Sequence, residues 1–550
     1  MQDINIAKIW QEKEEQLAQK LAELTNFPYI NLNYTFIHPE VLNLIDSKKA
    51  QEVNCVIFWL DANKVKLGVI DPKNEKTLNF IESLKNKGYQ VEIFVISYSS
   101  FKKVIDDYEK IENQKIKTIN VSVIHVESSL IEKIKNQIKN LKDLENLISK
   151  YDTPNLAFDI LEVIIGATLI FHPSDVHFEP QKDSVIIRFR IDGILHEAGK
   201  ISLNSYQIVK NRLKILSRMK ITFKKIAQDG RFTLSLKEKE LEVRSSVIPG
   251  DYDETFVLRI LDPETVKLKL ENLGFREDQL VIINKNLLQP NGMILTTGPT
   301  GSGKTTTLYS FIHKINNPGI KIITIEDPIE YKLPGIQQTQ VNPKEGYTFS
   351  SGLRAILRQD PDVILIGEIR DEETANIAIN ASLTGHLVIS TLHTNSSLGA
   401  IPRLVNLKVK RDLIPPALRL VIAQRLVRRV CVCAKKEKPD ENLKNKIKEI
   451  LKDVPNEILK NYDLENFYIP IPQGCDICNF IGYKGRIGIY EMFEMNLELG
   501  EIVTKDPSEQ AIYKYLKQNN FVDLIQDGIL KVIENETSLE ELTRILGLVL

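Results

Sequence analysis

A short glycine-rich segment of this 550-residue chain has the residue types and spacing that hold a nucleoside triphosphate. Residues 298–305 have the sequence GPTGSGKT, which matches G-x-x-x-x-G-K-[ST] at every fixed position. An apolar run, Met293 to Leu295, precedes the segment, and a stretch with helical character follows it. Glycines let backbone amides curl around phosphate oxygens, and a helix amino terminus adds partial positive charge. The segment therefore predicts a phosphate-binding loop.

The residues of this loop have separable expected roles. Lys304 should reach the β- and γ-phosphates, and the hydroxyl of Thr305 should ligate Mg²⁺, so ATP and Mg²⁺ are the predicted ligands. A chance match is the alternative, but it would not explain the strand before the loop and the helix after it. The residues predicted to bind the nucleotide are Gly298, Pro299, Thr300, Gly301, Ser302, Gly303, Lys304, Thr305 and Thr306.

Acidic residues end two further apolar runs. Glu368 follows the segment VILIG, and Glu326, Asp327 and Glu330 lie at the end of TIEDPIE. Parallel strands of such sheets present catalytic groups at their carboxyl ends. We expect Glu368 to orient and deprotonate the attacking water or to hold the metal through water, rather than to be merely an exposed strand end. For each acid of the second segment, including the candidate Glu330, structural capping of backbone amides accounts for its position as well as catalysis does.

Two histidines flank the strand-like segment LVIS. His386 precedes this segment and His393 follows it. A histidine beside a triphosphate can sense or stabilise developing charge, whereas a single histidine at a strand end is more often a structural hydrogen-bond donor. Because two of them lie near one strand of a phosphate-binding domain, we favour a functional role and take His393 as the candidate.

Five cysteines are too few for a disulfide framework in a chain of this length. Cys55 lies in an apolar run and is expected to be a core thiol. Cys475 and Cys478 have the C-x₂-C spacing that lets two thiolates share a tetrahedral zinc, whereas Cys431 and Cys433 are one residue closer together. Four thiolates leave no open position for a substrate, so the predicted Zn²⁺ is structural. Reduced free thiols are the alternative.

The elements that must position these groups form several domains, because one core does not keep growing over 550 residues. Residues 1–110 mix helices with short β-rich runs and predict a small α/β amino-terminal adaptor domain. Residues 111–150 predict a solvated, charged and partly helical connector. Residues 151–265 form a middle domain. Residues 266–550 repeat a strand–loop–helix pattern that predicts a doubly wound sheet, with a Cys-rich insertion at 431–490 and a helical carboxyl end.

Composition and charge argue against a nucleic-acid binder, a membrane-spanning protein and a secreted protein. The 72 basic and 73 acidic residues nearly cancel, which argues against a dedicated nucleic-acid binder. No apolar run reaches the roughly 18 residues needed to span a bilayer. The first residues are polar and acidic, unlike a signal peptide. We therefore expect a cytoplasmic protein without a transmembrane segment.

Several motifs, in order along the chain, resemble the secretion-superfamily ATPases that power type II secretion and type IV pilus assembly. The resemblance is dense over residues 150–495. It implies a RecA-like motor domain, a PAS-like α+β middle domain and a small amino-terminal domain. The matching segments are SDVHFEP, RFRIDGIL, QDGRF, LEVRSSVIP, GPTGSGKTTTLY, ITIEDPIEY, LRQDPDVILIGEIRD, TGHLVISTLHTNSS and GCDICNFIGYKGRIGIYE.

The same resemblance implies roles for single residues. Arg244 and Arg259 match the middle-domain arginines that reach the nucleotide, and Arg354 and Arg358 match a pair in the motor domain. Glu368 matches the catalytic glutamate. Such arginines can stabilise the transition state at a γ-phosphate.

The resemblance also implies an assembly and a location. Such ATPases form hexameric rings that bind ATP between the middle and motor domains, so we expect a homo-hexamer. Its expected partners are an inner-membrane platform protein and a membrane-associated adaptor, with the motor peripheral at the inner face of the cell membrane. Hydrolysis of ATP would power assembly of a type IV pilus or a type II secretion pseudopilus.

Two other classes of function stay open. A RecA-like nucleic-acid translocase or conjugation motor would need a basic, aromatic-bearing pore, and the near-neutral charge argues against it. Binding of single-stranded DNA with steep salt dependence would favour that class. A scaffold that binds ATP without turnover is the third class, and the intact Lys304, Thr305 and Glu368 argue against it.

Overall fold

The computed structural model divides the chain into two compact units, Met1–Val121 and Ser122–Leu550. Among the helices that it describes, none is long and apolar enough to cross a membrane. The described residues are 3–33, 35, 41, 44–61, 64–115, 123–126, 128–153, 156–157, 159–236, 239–264 and 268–548.

The first unit is a small α/β fold around a three-stranded sheet. Helices α1 to α4 span Asp3–Thr25, Ser47–Val53, Glu75–Asn86 and Tyr98–Lys115. Strands β1 to β3 span Cys55–Asp61, Lys64–Val69 and Gln90–Val95. In this sheet β2 is central, antiparallel to β1 and parallel to β3. Cys55 is fully buried in the core of this unit, as the sequence predicted.

The second unit begins with a seven-stranded mixed sheet, here called the middle sheet, in the order β4-β8-β9-β10-β5-β6-β7. Residues of β6 and β9 alternate between buried and less buried positions, so one face of each strand supplies the core. Strands β4 to β10 span Val123–His125, Asp175–Pro180, Val185–Ile191, Ile194–Ile201, Gln228–Ser235, Glu240–Ile248 and Thr255–Leu261. Helices α5 to α8 span Ser128–Gln137, Leu141–Tyr151, Ile160–Phe171 and Leu203–Leu216.

The predicted connector, residues 111–150, requires a correction. Its described second half forms α5 and α6, and Ile134, Leu144 and Ile148 are buried in the core of the middle sheet. Helix α6 is amphipathic. Its apolar residues recur every three or four positions and face the sheet, while charged residues occupy the other side. Residues 116–122, also in the predicted connector, lie outside the described part of the chain.

A second seven-stranded sheet, here called the main sheet, has the order β13-β12-β14-β15-β11-β16-β19. All neighbours are parallel except β19, which is antiparallel to β16. Every residue of β11, β14 and β15 is buried, which explains their continuous apolar sequences. Strands β11 to β16 span Gly292–Thr297, Ile322–Glu326, Gln337–Gln340, Val363–Ile366, Leu387–Leu392 and Leu418–Val430. Helices α9 to α14 span Glu277–Leu287, Lys304–Ile315, Phe349–Leu357, Glu372–Leu383, Ala400–Asn406 and Ile414–Ala417.

The carboxyl-terminal part is helical, as predicted, but it also returns a long strand to the main sheet. Strands β16 and β19 have 13 and 12 residues and pair along most of their length. Neither strand was predicted from the sequence. Strands β17 to β19 span Lys435–Glu437, Ile469–Ile471 and Tyr483–Glu494. Helices α15 to α20 span Glu441–Leu451, Asn456–Leu459, Leu497–Lys505, Glu509–Lys517, Leu524–Ile533 and Leu539–Leu546.

Candidate nucleotide-binding site

The predicted phosphate-binding loop connects β11 to α10 and packs closely against β16. Gly303 ends the loop with a φ of 88° and caps the first turn of α10. A Cβ atom there would lie 2.8 Å from the Gln424 side chain, and a Cβ at Gly298 would lie 2.7 Å from the Gln424 carbonyl oxygen. Larger residues at these two positions would therefore push the loop away from the strand that supports it.

Polar groups of the loop are available to a triphosphate. The Lys304 ammonium donates to the carbonyl oxygens of Gly298 and Pro299, at 2.7 Å and 3.0 Å. Burial lowers the pKa of Lys304, and the negative charge of Glu368 opposes that shift. Ser302 Oγ is buried and has no hydrogen-bond partner among the described residues, and Thr305 is exposed on the first turn of α10. These donors and the exposed hydroxyl fit phosphate oxygens and a magnesium ion.

Gln424 supports the loop from β16, and the sequence analysis did not identify it. Its amide nitrogen donates to the Ser302 carbonyl oxygen at 2.6 Å, and its oxygen accepts from Thr307 Oγ at 2.8 Å. The parallel register pairs Thr297 with Ala423, so Gln424 lies just beyond the end of β11. Only the pairing of β11 with β16 could have revealed this contact.

The structure brings Glu368 and His393 together. Ile366 at the end of β14 pairs with Ser390 of β15, so the residues after both strands meet at the same edge of the main sheet. Glu368 Oε2 lies 3.1 Å from His393 Nε2 and 2.6 Å from Arg370 Nε. The bond to Glu368 raises the pKa of Arg370, a residue that the sequence analysis did not single out.

The acids after β12 have different surroundings. Glu326 is buried, accepts from Thr324 Oγ at 2.6 Å and from Gln338 Nε2 at 3.1 Å, and also bonds to the Tyr309 hydroxyl. Burial raises the pKa of Tyr309, and the neighbouring carboxylate adds to that shift. Tyr309 and Thr324 are buried and Gln338 is partly buried, so Glu326 has the contacts of a structural acid. Glu330 lies further along and is paired with an arginine.

That arginine is Arg244 of β9. Its guanidinium lies 2.9 Å from Glu330 Oε2 and donates to the Ile329 carbonyl oxygen at 2.7 Å. These two bonds connect the middle sheet to the acidic segment after β12. Two of the predicted residues, Arg244 and Glu330, are thus in direct contact although 86 positions separate them in the sequence, from 244 to 330.

The other three predicted arginines have contacts within their own regions. Arg259 of β10 is more than half exposed and pairs with Asp175 at 3.0 Å, inside the middle sheet. Arg354 on α11 pairs with Glu373 at the surface, and Arg358 donates to the Arg354 carbonyl oxygen at 3.1 Å. Asp175, Glu373 and the Arg354 carbonyl oxygen, the partners of these three arginines, all lie outside the phosphate-binding loop.

The four clustered cysteines form a compact set of sulfur donors. Their Sγ atoms all lie within 4.8 Å of one another, and the separations are 3.7 Å for Cys431–Cys475, 3.9 Å for Cys433–Cys478 and 3.7 Å for Cys475–Cys478. A tetrahedral zinc with Zn–S bonds of about 2.3 Å would space its sulfurs about 3.8 Å apart. The bond from the Cys478 backbone amide lowers the pKa of Cys475 to about 7. The donor set therefore fits zinc despite the shorter C-x-C pair.

Comparison with known proteins gives a consistent result over the chain. Residues 154–544 match the family described as Type II/IV secretion system protein, and residues 25–114 match the MshEN domain. The Type II secretion system protein E of Pectobacterium carotovorum is 41% identical over 408 residues, which cover 74% of this chain and 79% of that protein. The Type IV pilus assembly ATPase PilB of Pseudomonas aeruginosa is 35% identical over 536 residues, covering 96% of this chain and 90% of that protein.

A solved structure supports the fold. The X-ray structure of the Legionella pneumophila ATPase DotB superposes with a TM-score of 0.51 at 20% identity, covering 69% of this chain and 93% of that one. Together with the sheet topology, this similarity confirms the predicted multi-domain α/β class with a RecA-like main sheet.

Proposed function

Since the chain belongs to the Type II/IV secretion system protein family, we propose that it is an ATPase whose turnover powers assembly of a type IV pilus or of a type II secretion pseudopilus. The observation that supports this function most directly is the meeting of Glu368 and His393 at the sheet edge that also bears the phosphate-binding loop. Relatives from both kinds of machine match the chain, so the proposal includes both.

In the proposed reaction each part of the site has one task. Residues 298–306 hold the phosphates with backbone amides, and Lys304 exchanges its two carbonyl partners for phosphate oxygens. Thr305 would hold Mg²⁺, which neutralises negative charge on the phosphate oxygens when it is bound. Glu368 accepts the proton of the attacking water, and His393 orients the Glu368 carboxylate through their shared hydrogen bond.

The arginines supply positive charge and link hydrolysis to movement. Arg244, held at present by Glu330, would turn to the γ-phosphate as the middle and motor domains close, and Glu330 would guide it there. Arg259 would approach from the same middle sheet, and Arg354 and Arg358 from the motor domain. In the structure these four arginines bond to protein groups outside the phosphate-binding loop, so an exchange of those bonds for phosphate oxygens would make turnover depend on domain closure.

The proposed assembly is a homo-hexamer in the cytoplasm, peripheral at the inner face of the cell membrane. Its partners would be an inner-membrane platform protein and a membrane-associated adaptor, with residues 1–110 as the amino-terminal adaptor domain that docks to the membrane-associated components. Residues 151–265 and 266–550 would be the middle and motor domains, and helices α5 and α6 would belong to the middle domain, because they pack into its core. The four cysteines would hold a structural Zn²⁺ within the insertion 431–490.

The test is steady-state release of phosphate by the purified full chain. Lys304→Ala should abolish ATP binding or turnover, because it removes the one side-chain cation of the loop. Lys314→Ala is the matched control, since Lys314 lies on the same helix but is half-exposed and pairs with Glu271. It should keep wild-type turnover. Equal turnover of wild type and Lys304→Ala would contradict the proposed site.

The cellular role needs a separate experiment. Deleting the gene should abolish either surface filaments or secretion of exported proteins, and the Lys304→Ala gene should fail to restore the lost process. Restoration by the Lys304→Ala gene would show that the process does not depend on ATP turnover by this chain.

A further inference from the structure

Glu491 in β19 is a buried carboxylate whose charge interacts with that of Arg425, but no salt bridge to it is formed among the described residues. Its side chain is 5% exposed. Burial raises its pKa, although hydrogen bonds to the carboxylate oppose the shift. A buried carboxylate is costly unless hydrogen bonds replace its lost water. The groups that make those bonds therefore indicate what Glu491 does.

The carboxylate joins three separate elements. Glu491 Oε1 accepts from the backbone amide of Ser397 at 2.6 Å and from Ser397 Oγ at 2.9 Å. Glu491 Oε2 accepts from the backbone amide of Leu524, the first residue of α19, at 3.4 Å. Ser397 is fully buried in the loop that follows β15. Glu491 thus fixes that loop against β19 and α19.

This loop, residues 393–397, begins with His393 and is anchored at two further points. Thr297 Oγ, at the end of β11, donates to the Ser396 carbonyl oxygen at 3.2 Å. Arg425 of β16 donates to the Asn395 carbonyl oxygen at 2.6 Å. Three consecutive loop residues are therefore tied to three strands of the main sheet. The His393 side chain is half-exposed, so its position depends mainly on this backbone.

We propose that Glu491 is a positioning residue for ATP hydrolysis. Through Ser397 it holds the 393–397 loop where the His393 imidazole meets the Glu368 carboxylate. This role rests on the proposed ATPase function. Glu491 is the last residue of the GRIGIYE segment, and among the described residues its hydrogen bonds reach neither the phosphate-binding loop nor the cysteine cluster. It also makes the placement of His393 depend on α19, since the same carboxylate accepts from Leu524.

The test compares ATP turnover of full-length variants. Glu491→Ala should lower kcat about 10- to 100-fold, the effect expected when a reacting group is displaced by about 1 Å. KM for ATP should stay unchanged, because among the described residues no hydrogen bond joins Glu491 to Lys304 or to the rest of the phosphate-binding loop. Glu491→Gln keeps an oxygen that can accept from Ser397, so it should recover most of the lost kcat.

Two further variants separate positioning from general stability. Tyr483→Phe is the matched control, because Tyr483 lies on the same strand and its buried hydroxyl bonds to Ser538 at 2.7 Å, away from the His393 loop. It should keep wild-type kcat. Ser397→Ala removes only the hydroxyl bond to Glu491 and should lower kcat several-fold even if Glu491→Ala does not fold.

The decisive measurement is a double-mutant cycle with His393→Ala. If Glu491 acts through His393, Glu491→Ala should cause little further loss of kcat in the His393→Ala background. Full additivity of the two losses, or wild-type kcat in both Glu491→Ala and Ser397→Ala, would overturn the positioning role. A wild-type protein without turnover would instead refute the proposed ATPase function itself.

Discussion

Replacing Glu368 by glutamine tests the assignment of the catalytic base with the smallest change of shape. Glutamine keeps one oxygen that can accept from Arg370 and His393, the two partners of the carboxylate. It cannot take a proton from water. The phosphate-binding loop makes its own contacts, and Lys304 bonds to Gly298 and Pro299 rather than to Glu368. Turnover should therefore fall while ATP binding persists.

The size of the effect follows from the surroundings of the carboxylate. Loss of a general base costs about 10²- to 10⁴-fold in rate, which corresponds to about 3–5 kcal/mol in the barrier. The ion pair with Arg370 is a weaker contributor, because Arg370 is 63% exposed. Such pairs contribute about 1 kcal/mol or less, equivalent to about fivefold in rate. A hundredfold loss therefore cannot come from the ion pair alone.

The assay measures phosphate release at saturating ATP together with equilibrium binding of a fluorescent ATP analogue. Glu372→Gln is the matched control, since Glu372 is a nearby acid that is half-exposed and pairs with Lys408 at 2.7 Å. It should change kcat less than about twofold, as expected for loss of a surface pair. If Glu368→Gln keeps more than about one-tenth of wild-type kcat, Glu368 is not the base.

Three further changes probe the arginine link, the metal site and a buried ion pair. Arg244→Ala should lower kcat about a thousandfold in the phosphate-release assay, because it removes the charge expected at the γ-phosphate, and unchanged kcat would exclude that role. Elemental analysis should find about one zinc per chain, and Cys475→Ser should reduce that content and the melting temperature; zinc-free wild-type protein would leave the cysteines as thiols. Burial opposes ionisation of Glu541, but the bonds from Arg544 and Arg428 outweigh it and lower its pKa below the usual 4.5. Glu541→Gln should cost about 3–5 kcal/mol of unfolding free energy near pH 7, measured by denaturant titration. The lowered pKa of Glu541 means that the folded protein favours the ionised carboxylate, so the stability difference between wild type and Glu541→Gln should shrink as the pH falls below 4.5. A stability difference that stays constant with pH would contradict the ion pair.

Local chemistry was sufficient to predict the glycine-containing turn between β11 and α10 and the strands that end near it, whereas phosphate binding by that turn stays a prediction. The loop conformation depends on glycines at fixed positions, and Gly303 indeed has the positive φ that caps α10. Continuous apolar runs predicted buried parallel strands, because a strand that is covered on both faces lacks the alternation of polar and apolar residues. Glu368 was selected for the same reason, since it ends such a run, and its role as the base stays a prediction.

The prediction that residues 111–150 are solvated was wrong for α6, because its apolar face is narrow and its exposed face carries many lysines and acidic residues. The paired strands β16 and β19 were missed for a related reason. Their apolar residues are mixed with arginines and glycines that only pairing and packing make compatible with a sheet.

Tertiary structure alone decided which side chains meet. The parallel register of β14 and β15 brings Glu368 to His393, and the pairing of β11 with β16 brings Gln424 under the phosphate-binding loop. The contact of Glu491 with Ser397 joins residues 94 positions apart. Residue spacing specifies local backbone shape because its determinants are neighbours along the chain. Contacts between distant strands depend on sheet order and register, which the packing of the whole core selects.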